Sequence, residues 1–285
     1  MTLFPHIKKA SALFRPLRDG QTFLHMAVRL QSTRGSLVRF QIVKILLDAG
    51  GRALACAQRL SLCGSMAEDG MTSLHISSQG GCVLTIRELI ATGGRQLLKM
   101  RTSNGDTCLH TGVSRGRMPV VQELIKAGGK NFLFSCDKIG NTSLHKAAGA
   151  GRLAVVEELL SQGSRELLIL QNKTGVTCLH LAAQNGHVAV VAKLIAAGGK
   201  ELVMKRLFNG CSCLSASVTF GHVEVVLELL QVGGRELTLF QHNGGMSCLQ
   251  LAVRKGYALI ANALILFGGL DLVQVLVRFG AFLAP

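Results

Sequence analysis

Five histidines recur behind a leucine, at His25, His75, His110, His145 and His180, and Ser215 and Gln250 hold the same place further along. Cys108, Cys178, Cys213 and Cys248 stand two residues before that marker, among 9 cysteines in all. Columns of imidazole and thiol could bind zinc, form disulfides or move protons. The spacing argues against each. Neighbouring packed helices lie about 8 to 10 Å apart, whereas bridged cysteines need Cα atoms within about 7 Å and zinc ligands must share an ion at about 2 Å. No C-x-x-C pair is present, only Cys211 and Cys213 one residue apart. The thiols therefore read as small buried apolar fillers in a reducing compartment, with Cys56 and Cys63 set apart in an insertion. His222 and Glu224 have the H-x-E spacing of a zinc deaminase, without the P-C-x-x-C that completes it. Phosphate-loop, zinc-protease, nucleophile-elbow and calcium-loop patterns are missing. The reading is of a chain that is no enzyme and holds no cofactor or metal. The histidines read instead as struts, because an imidazole in the first helical turn can bond a capping hydroxyl or a neighbouring hairpin's backbone.

The elements that place these residues repeat. From His75 to Gln250 every step of the marker is 35 residues, and the first step, of 50, holds two insertions, near 30–38 and 53–68. Five residues before each marker stands a glycine, from Gly20 and Gly70 to Gly210 and Gly245, which supplies a turn. Next comes a hydroxyl residue, Thr22, Thr72, Thr107, Thr142, Thr177, Ser212 or Ser247, suited to cap a helix that starts one residue later. A glycine six residues after the marker ends that short helix, and a second helical stripe follows, such as Val155, Val156, Leu159 and Leu160. Paired glycines such as Gly128-Gly129 and Gly198-Gly199 suit a left-handed cap at its end. Each unit thus reads as turn, helix, turn, helix, loop.

T-x-L-H, then A-A, G-H, V-V-x-x-L-[LI] and G together resemble the ankyrin repeat. The resemblance spans about Asp19 to Gly269 and implies an all-α solenoid of stacked helix-turn-helix units with hairpin and loop connections. Thr72, His75, Thr107, His110, Thr142, His145, Thr177 and His180 carry its signature. The chain departs from the family at Ser73, Cys108, Ser143, Cys178, Cys213 and Cys248, where a proline is usual, and its period is two residues longer, the excess falling after the glycine pairs. The resulting division is a cap over 1–18, repeats starting near 19, 69, 104, 139, 174, 209 and 244 within 19–270, and a terminal capping helix over 271–285. The first 18 residues carry Lys8, Lys9, Arg15 and Arg18 with no acid, and read as a cap rather than a targeting segment.

Composition fits a globular, intracellular chain, cytoplasmic with the nucleus as alternative, and no apolar run is long enough to span a membrane. The net charge is +15, of which +11 lies before Thr142 and +4 after it. Arg52, Arg95, Lys130, Lys200 and Arg235 follow the glycine pairs, and Arg165 follows Gly163 and Ser164 at the same place, where a helix C-terminus favours a cation by about 0.3 to 1 kcal/mol. With no tryptophan, Tyr257 as the single tyrosine and no run of five basic residues, the stacking platform of a single-strand binder is absent.

Function falls to the positions the repeat leaves free. At the hairpin tips these include Arg18, Met71, Lys138, Asn141, Lys173 and Phe208, and on the short helices Arg115, Gln184, Asn185, Phe220, Arg254 and Lys255. In ankyrin repeats the corresponding concave surface grips other proteins, so the resemblance implies a monomeric scaffold or adaptor whose partners have acidic or mixed surfaces. The alternatives are a basic solenoid docking on RNA, DNA or anionic lipid, and a substrate adaptor of a larger enzyme complex.

Overall fold

A hydroxyl residue with extended backbone opens each short helix: Thr72, Thr107, Thr142, Thr177, Ser212 and Ser247 all take β-region dihedrals at the N-cap. The residue three positions on returns a bond to the cap's own N–H, so two of the orphan donors of the helix start are satisfied reciprocally. In the computed structural model, residues 21–29, 36–58, 70–163, 165–241, 245–269 and 272 are described, with no side chain described for 36–39. The cap over 1–18 and the terminal helix beyond Leu272 lie outside them.

Two compact units divide the chain, Met1–Lys138 and Ile139–Pro285. The first holds α1 (Phe23–Arg29), α2 (Ser36–Ala55), α3 (Ser73–Gly80), α4 (Val83–Lys99), α5 (Cys108–Ser114), α6 (Met118–Gly128) and a 3-10 helix, Lys130–Phe134. Short helices pack on short ones, α1 on α3 and α3 on α5, and long on long, α2 on α4 and α4 on α6. The second unit holds α7 (Ser143–Gly149), α8 (Leu153–Gln162), α9 (Arg165–Ile169), α10 (Cys178–Gln184), α11 (Val188–Val203), α12 (Cys213–Phe220), α13 (Val223–Thr238), α14 (Cys248–Lys255) and α15 (Ala258–Gly268). There α7, α10, α12 and α14 stack in order, and α11, α13 and α15 form the second row. Each unit is therefore an all-α stack of helix pairs, the ankyrin-solenoid class. Leu144, Leu179, Leu214 and Leu249, the leucines ahead of the marker, are fully buried, as are Val156, Val191 and Val226 opposite them. Each such side chain contributes about 1.5 to 3 kcal/mol.

Among the described residues the segment after the glycine pair is helical in α2, α4, α11 and α13 and in the 3-10 helix Lys130–Phe134, not a loop. In α2, α4, α11 and α13 the second glycine breaks the helix: Gly199 has φ 59 and ψ −156. That region is open almost only to glycine, and it differs from the left-handed cap the sequence suggests. Beyond it a further turn buries Leu54, Leu97, Phe132, Leu167, Leu202 and Leu237 at one register. The two residues added to the ankyrin period build this turn. Leu54 and Ala55, near the start of the insertion read over 53–68, are buried members of it; 59–69, like 30–35 of the first insertion, lie outside the described residues. The periodic cations consequently open a helical turn rather than close a helix, and Arg52, Arg165 and Lys200 bond across neighbouring repeats. Arg165 meets Glu201 at 2.7 Å and Lys200 meets Glu236 at 2.6 Å, while Arg52 Nε donates to the Gly93 carbonyl at 3.3 Å.

Among the described residues no hairpin tip forms a strand. Single antiparallel bridges, Gln58 to Thr72, Arg206 to Ser212 and Gln241 to Ser247, close them. A tip glycine is needed where the next tip lies against it: Gly175 has φ 83, and a Cβ there would sit 2.8 Å from the Phe208 nitrogen.

Candidate functional site

The histidine column is a set of buried bonds between repeats. His75 Nδ1 accepts from the Thr72 backbone N–H at 3.2 Å and lies 2.8 Å from Thr72 Oγ1. An accepting Nδ1 leaves the proton on Nε2, and that nitrogen donates to the Asp106 carbonyl at 3.1 Å. His25 reaches the Met71 carbonyl and His145 the Val176 carbonyl in the same way, each at 3.1 Å. Thr107 with His110 and Thr177 with His180 repeat the local half of the arrangement. Burial pushes the His75 ring down to about 4, against the Asp106 carbonyl bond and charge and helped by His110 and His25. His180 is also held down to about 4, first by burial and then by His145. Both rings are neutral at pH 7. Gln250 keeps the bond in unchargeable form, its Oε1 accepting the Ser247 N–H at 2.7 Å.

His180 is the exception. Its Nε2 is buried and has no hydrogen-bond partner; the carbonyls of Cys211 and Lys205 lie close enough to favour the charged ring without completing a bond.

A second column escapes any reading by residue type. Gln171 Nε2 donates to the carbonyls of Gly175 in its own tip and Arg206 in the next, at 2.8 and 2.9 Å. Arg206 does the same toward Gly210 and Gln241, at 3.0 and 2.6 Å, and Arg101 toward Gly105 and Cys136. These side chains tie successive tips together, and two of the excess positive charges serve this purpose.

The thiol column is inert. Cys108, Cys178, Cys213 and Cys248 are buried, and burial pushes each up to about 12. Among the described residues no group of His, Cys, Asp and Glu is placed to hold a metal ion. His222 Nε2 donates to the Gln184 carbonyl at 2.9 Å, which removes it from any partnership with Glu224.

Two of the twelve partner-facing positions are corrected by burial. Met71 is 2% exposed, and Asn141, 6% exposed, accepts from Asn172 Nδ2 at 2.8 Å. Both leave the candidate surface. Arg18 lies outside the described residues. Asn185 is exposed, yet its amide donates to the Gly149 carbonyl at 2.7 Å. Arg115 and Lys138 are exposed in the first unit, and Lys173, Gln184, Arg254 and Lys255 in the second. Phe208 and Phe220 are 71% and 54% exposed.

Charge is segregated in the second unit. Glu157, Glu158, Glu166, Glu201, Glu224, Glu228 and Glu236 all lie on the second-row helices or the turn after them. Three of these pair with Lys193, Arg165 and Lys200. The tips and short helices carry Lys146, Lys173, Lys205, Arg206, Arg254 and Lys255 and no acid. The positions of Asp106 and Asp137 in the first unit become Asn141 and Asn172 here.

A family model described as ankyrin repeats (3 copies) matches residues 24–133 and 129–206. No curated protein matches the chain. Among the described residues no helix is long and apolar enough to cross a membrane.

Proposed function

The chain belongs to the ankyrin-repeat family, and from that premise we propose that it is a non-catalytic scaffold or adaptor that grips partner proteins on its hairpin tips and short helices. Ankyrin repeats generally mediate protein–protein interaction. The observation that carries the assignment of the surface is the pair of solvent-facing phenylalanines, Phe208 and Phe220, set among cations where no acid occurs. Large exposed aromatics are the side chains that anchor protein interfaces, and an acid-free basic rim selects partners of opposite charge mainly through association rate.

A polyanion-binding role would use the same cations differently. Arg206 is occupied by two carbonyls and by the Phe240 ring, 4.8 Å from its guanidinium carbon. Lys173 and the adjacent pair Arg254 and Lys255 sit on different repeats, which favours a protein with dispersed acids over a phosphate backbone. The test is affinity capture by the full chain from a nuclease-treated extract. Recovered proteins that persist through nuclease and are lost on Phe208→Ser with Phe220→Ser support the reading. Recovery abolished by nuclease, or tight binding to random-sequence RNA with a steep salt dependence, would replace it with the polyanion reading.

A further inference from the structure

We propose that the second unit holds a seat for one large apolar side chain of an acidic peptide segment of a partner protein, formed between α10, α12 and α14; this rests on the protein-binding reading above. An open groove of about 310 Å³ lies there, lined by Val176, Leu207, Phe220, Met246 and Leu251 and by His180. Its wall is mostly apolar. The volume is at the lower edge of the roughly 300 to 1,000 Å³ typical of small-molecule sites, which suits one side chain with its flanking backbone better than a cofactor. Hot spots of protein interfaces are apolar or aromatic anchors received by pockets of this kind.

His180 forms part of the floor of the seat. Its equivalent in the preceding repeat, His145, donates Nε2–H to the Val176 carbonyl, whereas the His180 Nε2 is buried with no acceptor. The ring is 3% exposed and lines the groove. Because Nδ1 accepts the Thr177 N–H at 3.3 Å, the free nitrogen carries the proton. That nitrogen is closed off from solvent, so the ring serves the groove as packed surface and not as a donor to the ligand.

The charge around the groove names the rest of the ligand. Lys173 stands on the tip that carries Val176, Lys205 on the tip that carries Leu207, and Arg254 and Lys255 on the helix that carries Leu251. No Asp or Glu lies in any of these segments. The peptide that fits has Asp or Glu on both sides of a Leu, Met or Phe.

The test is to pan a phage-displayed random-peptide library on the full chain, then titrate a fluorescein-labelled synthetic copy of the leading peptide by anisotropy. The expected consensus is one large apolar residue flanked by acids. Phe220→Glu should weaken the peptide about tenfold or more, and Lys173→Glu with Lys205→Glu about tenfold at low salt, whereas Phe220→Leu retains binding. Replacing the peptide's apolar residue by Ser should abolish it. Circular dichroism on each variant separates lost binding from lost fold, and Phe220, at the exposed end of α12, tolerates exchange. An empty selection, a consensus without acids or an apolar anchor, competition by random-sequence RNA, or affinity unchanged by Phe220→Glu would overturn the proposal. If nuclease-resistant partners are still captured while these variants change nothing, the seat is wrong and the protein-binding reading stands. If capture itself depends on nucleic acid, that reading falls with it.

Discussion

Acid should destabilise the first unit through buried His75 and the second through buried His180. Both rings titrate near 4 in the folded chain, against about 6.5 when unfolded. A histidine with a lowered folded value binds its proton more readily in the unfolded state, so stability is fully present above about pH 6.5 and is lost as pH falls toward 4. By linkage each ring removes about 2 kcal/mol at pH 5 and about 3 kcal/mol once pH 4 is reached. The protein's own Gln250 shows how to take the charge away, since its Oε1 accepts the cap N–H that a histidine Nδ1 accepts elsewhere. His75→Gln and His180→Gln should therefore flatten the dependence. Urea unfolding followed by far-ultraviolet circular dichroism at pH 7.5, 6.5, 5.5 and 5.0 measures it. At neutral pH His75→Gln should cost about 1 kcal/mol for the lost bond to the Asp106 carbonyl, and His180→Gln less, because its Nε2 makes no such bond. A parent and double variant that weaken in parallel between pH 7.5 and 5.0 would refute the assignment of the acid sensitivity to these rings.

Gly175→Ala should lower stability by about 1 to 3 kcal/mol, from the positive φ and the approach to the Phe208 nitrogen. Gly256→Ala, whose added Cβ meets nothing within 4 Å, should cost only the conformational part, about 1 kcal/mol; paired thermal melts compare them. Native alkylation followed by mass spectrometry should label Cys56, Cys82, Cys136 and Cys211, which are partly exposed, well before Cys108, Cys178, Cys213 and Cys248. Fast labelling of the second group would contradict their burial. Lys200→Ala should change stability by less than about 1 kcal/mol, because the pair with Glu236 is solvent-exposed, whereas Gln171→Ala should cost about 1 to 2 kcal/mol by freeing two carbonyls. Chemical denaturation of the two variants side by side decides between those figures.

Much of this architecture was legible because the informative residues keep one type at one spacing. Thr107, His110, Gly105 and their equivalents announce turn, cap and short helix, and the V-V pairs announce the second row. The helical turn after the glycine pair was not legible, since five residues such as Arg165–Ile169 are too few to display a period. The tie column was hidden by mixed chemistry: Gln171 and Arg206 do the same work with an amide and a guanidinium. Met71 and Asn141 misled because adjacency to a turn glycine suggests exposure, while their side chains turn inward. His180 was the least legible of all. The segment T-C-L-H around it also surrounds His110, and only the placement of the following tip leaves its Nε2 without an acceptor.

On the protein-binding proposal, partners contact the tips and short helices of the second unit. Amide hydrogen exchange on the full chain, free and saturated with a nuclease-resistant captured partner, tests it most directly. Added protection is expected within 170–186, 205–221 and 245–256, with the second-row helices α11 and α13 unchanged. Protection confined to those second-row helices, or none in the second unit, would contradict it.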